Sequence, residues 1–95
     1  MNVKRNPKVN PNFEELLNSG NNSDNFLTLH NDDVNSFEYV IDSLIEVCNH
    51  DIVQAEQCAY LTHYKGQCDV KRGNAQVLKP MREQLIVKGL TATIN

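Results

Sequence analysis

Three consecutive acceptor-rich side chains, Asn31-Asp32-Asp33, stand between an apolar run, Phe26-Leu27-Thr28-Leu29-His30, and a patterned helix that begins near Ser36. A junction of this kind exposes its loop while the flanking elements hold it still, which suits contact with a ligand. A histidine, His63, ends a second amphipathic stretch, in Leu61-Thr62-His63-Tyr64-Lys65-Gly66. Asparagine offers a carbonyl oxygen, aspartate a negative charge and neutral histidine a lone pair. Gathered around one point, these groups would receive a cationic donor such as an ammonium through charge-assisted hydrogen bonds. Each feature alone has a simpler reading. Asn and Asp are common in turns for local reasons, and a histidine at a helix end can bond the last carbonyls or favour the helix dipole. The combination, with elbow and histidine facing each other across a small pocket, is what points to binding.

The elements that must position these residues can be read from period and caps. Phe26 to His30 alternate as a strand, with Leu27 and Leu29 on one face and Phe26, Thr28 and His30 on the other. Asn35, with Glu38 three residues later, forms a capping-box pattern. Phe37, Val40, Ile41, Leu44, Val47 and Cys48 then follow at helical spacing. Asp51 can cap a second helix whose stripe is Ile52, Ala55, Ala59 and Thr62, joined by Cys58 and Leu61. His63 lies on the side of Ala59, and Gly66 suits a left-handed helix end. Gln67 to Arg72 read as a second strand and Asn74 as a cap. Val77, Leu78, Met81, Leu85 and Ile86 mark a third helix. An interior proline costs about 3 kcal/mol, so Pro80 predicts an irregular first turn. Gly89 ends this helix, and Leu90 to Ile94 alternate as a final strand. The order β-α-α-β-α-β implies a two-layer α+β domain, a small three-stranded antiparallel sheet packed on three helices. Residues 1–24, rich in Asn and carrying Pro7 and Pro11, read as a flexible N-terminal arm. Within them Phe13, Leu16 and Leu17 form a patch that could dock on a partner. Residues 25–95 are the expected core domain.

Composition narrows the function. The chain has 95 residues, 40% apolar and 22% charged, with net charge −3. An acidic balance argues against nucleic-acid binding, which needs concentrated Lys and Arg, and Tyr39, Tyr60 and Tyr64 without a basic surface make no stacking platform. No apolar stretch approaches the roughly 20 residues that span a bilayer, and no apolar export segment follows Met1-Asn2-Val3-Lys4-Arg5. The three cysteines, Cys48, Cys58 and Cys68, form no CxxC, so reduced thiols in a cytoplasmic protein are expected. His50, Cys58, His63 and Cys68 lack the close spacing of metal ligands. No local signature pairs a cysteine with a base for nucleophilic catalysis. Neither a metal, a cofactor nor an enzyme is expected.

Leu29-His30-Asn31-Asp32-Asp33, the helix Glu38-Tyr39-Val40-Ile41-Asp42 and the stretch His63-Tyr64-Lys65-Gly66 together resemble the ClpS family. Members are adaptors that deliver substrates to the Clp AAA+ protease. The resemblance spans about residues 25–95 with the same order of elements. It implies recognition of N-degrons, peptides with a free α-amino group on Leu, Phe, Tyr or Trp, and delivery to a Clp unfoldase of the ClpA or ClpC type. By position it implies that Asn31, Asp33 and His63 contact the α-amine and that Asp32 supports the elbow or the peptide backbone. The side-chain pocket would come from Leu29, Phe37, Val40, Ala59, Thr62, Leu90 and Thr91.

The chain departs from the family pattern in places. Ala59 stands where a bulky Met usually narrows the pocket, Thr62 where a Val is usual and Phe37 where a Met is usual. Asn35-Ser36 replaces Thr-Pro, and charged positions near the third helix read Gln76, Lys79 and Met81. The chain thus resembles a divergent branch of the family, with an altered pocket expected. Two further readings remain: a ClpS-like regulator that docks on the unfoldase without reading N-termini, and a thiol enzyme.

Overall fold

The computed structural model describes residues 25–95; the expected arm, residues 1–24, lies outside them. Six elements follow in order: β1 (Asn25–His30), α1 (Phe37–Cys48), α2 (Ile52–Lys65), β2 (Gln67–Gly73), α3 (Ala75–Val87) and β3 (Thr91–Ile94). β1 is the central strand, antiparallel to both β2 and β3. The α+β fold read from the sequence is the fold observed. Among the described residues no helix is long and apolar enough to cross a membrane.

The core lies between sheet and helices. Leu27 and Leu29 of β1, Val70 of β2 and Ala92 of β3 meet Leu44, Cys48, Ala55, Ala59, Leu78 and Leu85 from the helices. Leu27, Leu44, Leu78 and Leu85 are fully buried, each gaining about 1.5–3 kcal/mol over exposure. The opposite face of β1 is closed by polar contacts. The Thr28 hydroxyl donates to Asp69 and accepts from the Asn95 side-chain amide, each at 2.8 Å.

One irregularity organises the β2 edge. The register slips between Leu27 and Thr28, whose partners are Lys71 and Asp69, so Val70 bulges. Its carbonyl receives the ring Nε2–H of buried His50 at 2.6 Å. The shift also turns Lys71 toward the helices, where its ammonium donates to the carbonyl of Cys48 at 3.0 Å. A cation at a helix C-terminus complements the carbonyls left open there. A bulge thus anchors the α1–α2 junction, with left-handed Asn49 (φ 59°) completing the bend.

Several caps agree with the sequence. Asp51 accepts from the Gln54 amide at 2.8 Å and Asn74 from that of Val77 at 3.0 Å. Gly66 at φ 93° and Gly89 at φ 86° take the left-handed conformation that closes a helix. After α3 the Gly89 amide bonds Ile86 and the Leu90 amide bonds Leu85, the paired closure of a Schellman motif.

Four expectations need correction. The N-cap of α1 is Ser36, whose Oγ accepts from the Tyr39 amide at 3.1 Å, and not Asn35. Asn35 is drawn instead into contacts with Asp32 and Gly89. The helix α3 runs unbroken through Pro80. Both Pro80 and Gln76, whose carbonyl loses its donor, are exposed, so water can take the vacated bond. On α2 only Ala55, Cys58, Ala59 and Thr62 are buried, while Ile52 and Leu61 face outward. On α3, Val77 and Ile86 are about half exposed, and Leu78 and Leu85 carry the packing.

Candidate functional site

The elbow is built by its own side chains. The Asp32 carboxylate accepts from the amides of Val34 and Asn35 through one oxygen and from the Asn35 side-chain amide through the other, all at 2.9 Å. The Asn35 side-chain amide also donates to the carbonyl of Gly89 at 3.0 Å, and the Tyr39 hydroxyl to that of Lys88 at 2.7 Å. Both bonds tie the start of α1 to the α3–β3 turn. On the other side the Asn31 amide donates to the carbonyl of Gly66 at 2.9 Å, tying the elbow to the end of α2. Three separate segments are therefore registered around Asn31 to Asn35.

Hydrogen bonds from the Asn35 backbone and side chain and from the Val34 amide hold the Asp32 carboxyl below its ordinary value of 3.8, against a smaller opposing effect of burial. The sign follows from linkage. A carboxylate with a lowered folded pKa contributes stability that is fully present above the unfolded value and lost as pH falls through the folded one. Asp32→Ala is expected to cost about 1 kcal/mol at neutral pH, as for loss of a capping side chain, and to lower Tm by roughly 5 °C. Thermal melts of the two proteins should converge only in acid below pH 3.8. A constant difference down to that pH and below it would deny the carboxylate this role.

The elbow opens onto a pocket of about 490 Å³. Leu29, Phe37, Val40, Ala59, Thr62 and Leu90 line it, with Asn31, Asp32, Asp33 and His63. All the residues singled out in the sequence meet here except Thr91. Alternation along β3 turns Ala92 inward and Thr91 outward, so from this end of the chain Leu90 alone reaches the pocket. Thr62 is less polar in place than its type suggests, since its hydroxyl donates to the carbonyl of Cys58 at 2.7 Å within the helix.

Around the mouth the polar side chains divide into two groups. Asp32 and Asn35 are committed to the loop. Asn31, Asp33 and His63 are exposed, and no hydrogen bond or ion pair among the described residues engages their side chains. A carboxylate, an amide and an imidazole thus border one apolar cavity with acceptors unused. That arrangement can take a cationic hydrogen-bond donor attached to an apolar group.

His30, Asn35, Tyr60 and Tyr64 also line the pocket and were not among the residues singled out. Tyr60, His63 and Tyr64 stand at i, i+3 and i+4, which places them on one helix face; that spacing was the available signal. The Tyr60 and Tyr64 rings lie 4.4 Å apart, and His63 meets Tyr64 edge-on at 4.8 Å. The bond from Asn35 to the Gly89 carbonyl has no local signal, because its partner comes from the far end of the chain.

The remaining histidine and cysteines are placed elsewhere. Among the described residues no group of three or more His, Cys, Asp or Glu could hold a metal ion. Burial pushes the Cys48 thiol up to about 11 and, with the neighbouring Cys58 sulfur adding to it, the Cys68 thiol up to about 12. Both are protonated at neutral pH, and a protonated thiol is a poor nucleophile.

A family model described as ATP-dependent Clp protease adaptor protein ClpS matches residues 22–93. No curated protein matches the sequence. Among solved structures, Agrobacterium tumefaciens ClpS2 bound to L-phenylalaninamide is similar in fold, with TM-score 0.70. At 18% identity the similarity covers 75% of this chain and 93% of that one.

Proposed function

Because the chain belongs to the ClpS family of Clp protease adaptor proteins, we propose that its pocket binds peptides through a free α-amino group and a large apolar first side chain, and that it delivers them to a Clp AAA+ unfoldase of the ClpA or ClpC type. The observation that carries this reading is the set of three unengaged acceptors, Asn31, Asp33 and His63, at the mouth of an apolar cavity. An α-ammonium carries three N–H donors and one charge, which Asn, Asp and neutral His can meet. Capture of an N-terminal amine is a recurring mode of peptide recognition. The relative solved with L-phenylalaninamide holds a ligand of the same kind, a free amine on an apolar side chain.

The mechanism is non-covalent, and the raised Cys48 and Cys68 thiols favour an adaptor over a thiol enzyme. The elbow and His63 fix the amine. Leu29, Phe37, Val40, Ala59, Thr62 and Leu90 receive the side chain, excluding β-branched residues by shape near the backbone. The place of action is the cytoplasm, where reduced cysteines persist. The N-terminal arm engages the unfoldase in this reading.

Fluorescence-anisotropy titration of peptides that differ only in the first residue tests the proposal. Leu- and Phe-led peptides are expected to bind, and an Ala-led peptide at least about tenfold more weakly, since a large side chain gains about 1.5–3 kcal/mol on burial. No binding by any of them would replace this reading with that of a regulator which docks on the unfoldase without reading N-termini.

A further inference from the structure

The cavity does not stop at Tyr60. Beyond it an open groove of about 590 Å³ runs along α2, lined by Phe37, Val53, Glu56, Gln57, Tyr60 and Leu61. Phe37 and Tyr60 belong to both cavities. Val53 is 59% exposed, Tyr60 55% and Leu61 39%. Their side chains add nothing to the core, and a run of large apolar residues left open on one helix face marks a contact surface.

We propose that this groove is a second recognition subsite, which takes a large apolar side chain from the third residue of the bound peptide. The inference rests on the amine-and-first-residue reading above. In an extended peptide successive side chains alternate, so residues 1 and 3 face the same way, about 6.6 Å apart. The groove begins at the residues it shares with the pocket, and from Leu61 back to Val53 its floor is about 12 Å long at 1.5 Å per residue. With the first side chain against Ala59 and Phe37, the third falls past Tyr60 toward the Val53 end of the groove, beside Gln57. The second points away from the protein. Glu56 is the charged residue of the groove, so an acidic third residue meets a like charge.

The test is binding of four peptides with a common tail, beginning Phe-Ala-Ala, Phe-Leu-Ala, Phe-Ala-Leu and Phe-Ala-Glu. Phe-Ala-Leu is expected to bind about fivefold more tightly than Phe-Ala-Ala, from partial burial of one leucine. Phe-Leu-Ala should match Phe-Ala-Ala, and Phe-Ala-Glu should be weaker, most clearly at low salt. Val53→Ser, at an exposed site outside the first pocket, should erase the leucine advantage and leave Phe-Ala-Ala affinity unchanged. Equal binding of all four would overturn the subsite while the first-residue reading stands. A gain for Phe-Leu-Ala instead would overturn the assignment to the third residue. Absence of binding by all four would remove the first-residue reading and the subsite with it. A concentration-dependent dimer in sedimentation, dissolved by Val53→Ser, would assign the groove to a second copy of the chain and overturn the proposal.

Discussion

Acetylating the N-terminus of a Phe-led peptide is expected to weaken its binding by about a hundredfold, near 2.7 kcal/mol. Acetylation removes the charge and two of the three N–H donors while leaving the phenyl ring intact. Hydrogen bonds to charged groups are worth about 1.5–3 kcal/mol each, and three acceptors line this pocket, but all are exposed in the free protein. Water competes for them, so the total falls well below the sum. Asp33→Asn isolates the carboxylate. It should weaken the free-amine peptide by about tenfold and leave the acetylated peptide unchanged, because an uncharged terminus has no use for the anion. Parallel losses for both peptides would mean that Asp33 shapes the loop and does not read the amine. His63→Ala gives an independent check. It removes the imidazole acceptor, so it should weaken the free-amine peptide by about fivefold and leave the acetylated peptide unchanged. Equal losses for both peptides would deny His63 its part.

Ala59→Met is expected to weaken a Phe-led peptide by about thirtyfold and a Leu-led peptide by much less. Ala59 is buried on α2 and forms part of the pocket wall. A methionine there extends into the space that the first side chain would fill, and inserting methylenes into packed space costs about 1–3 kcal/mol. A flat ring has fewer ways to yield than a leucine side chain, and Phe37, 39% exposed at the mouth, limits retreat toward the opposite wall. The free variant should keep its Tm within a few degrees, because the added side chain can enter an open cavity of about 490 Å³. Equal losses for both peptides would place the first side chain away from Ala59.

The elements and most of their ends follow from local sequence. Alternation in β1 and β3, Asp51 and Asn74 as caps, and Gly66 and Gly89 as left-handed stops are local effects, settled within a turn or two of the backbone. The meeting of elbow and second helix was also legible, through the order of elements and the resemblance carried by Asn31, Asp33 and His63. Tertiary structure decided whatever depends on a partner distant in the chain. Asn35 has the composition of a cap, yet Ser36 caps α1, because Asp32 and the Gly89 carbonyl hold the Asn35 side chain. Asp32 and Asp33 are chemically alike and adjacent. Only the closed loop turns one carboxylate inward to its amides and leaves the other unengaged at the mouth. Leu61 fits a core stripe by period, but α1 covers the other side of α2, so Leu61 lines an open groove. Periodicity states which residues share a face; the packing of the neighbouring elements states whether that face is core, pocket or surface.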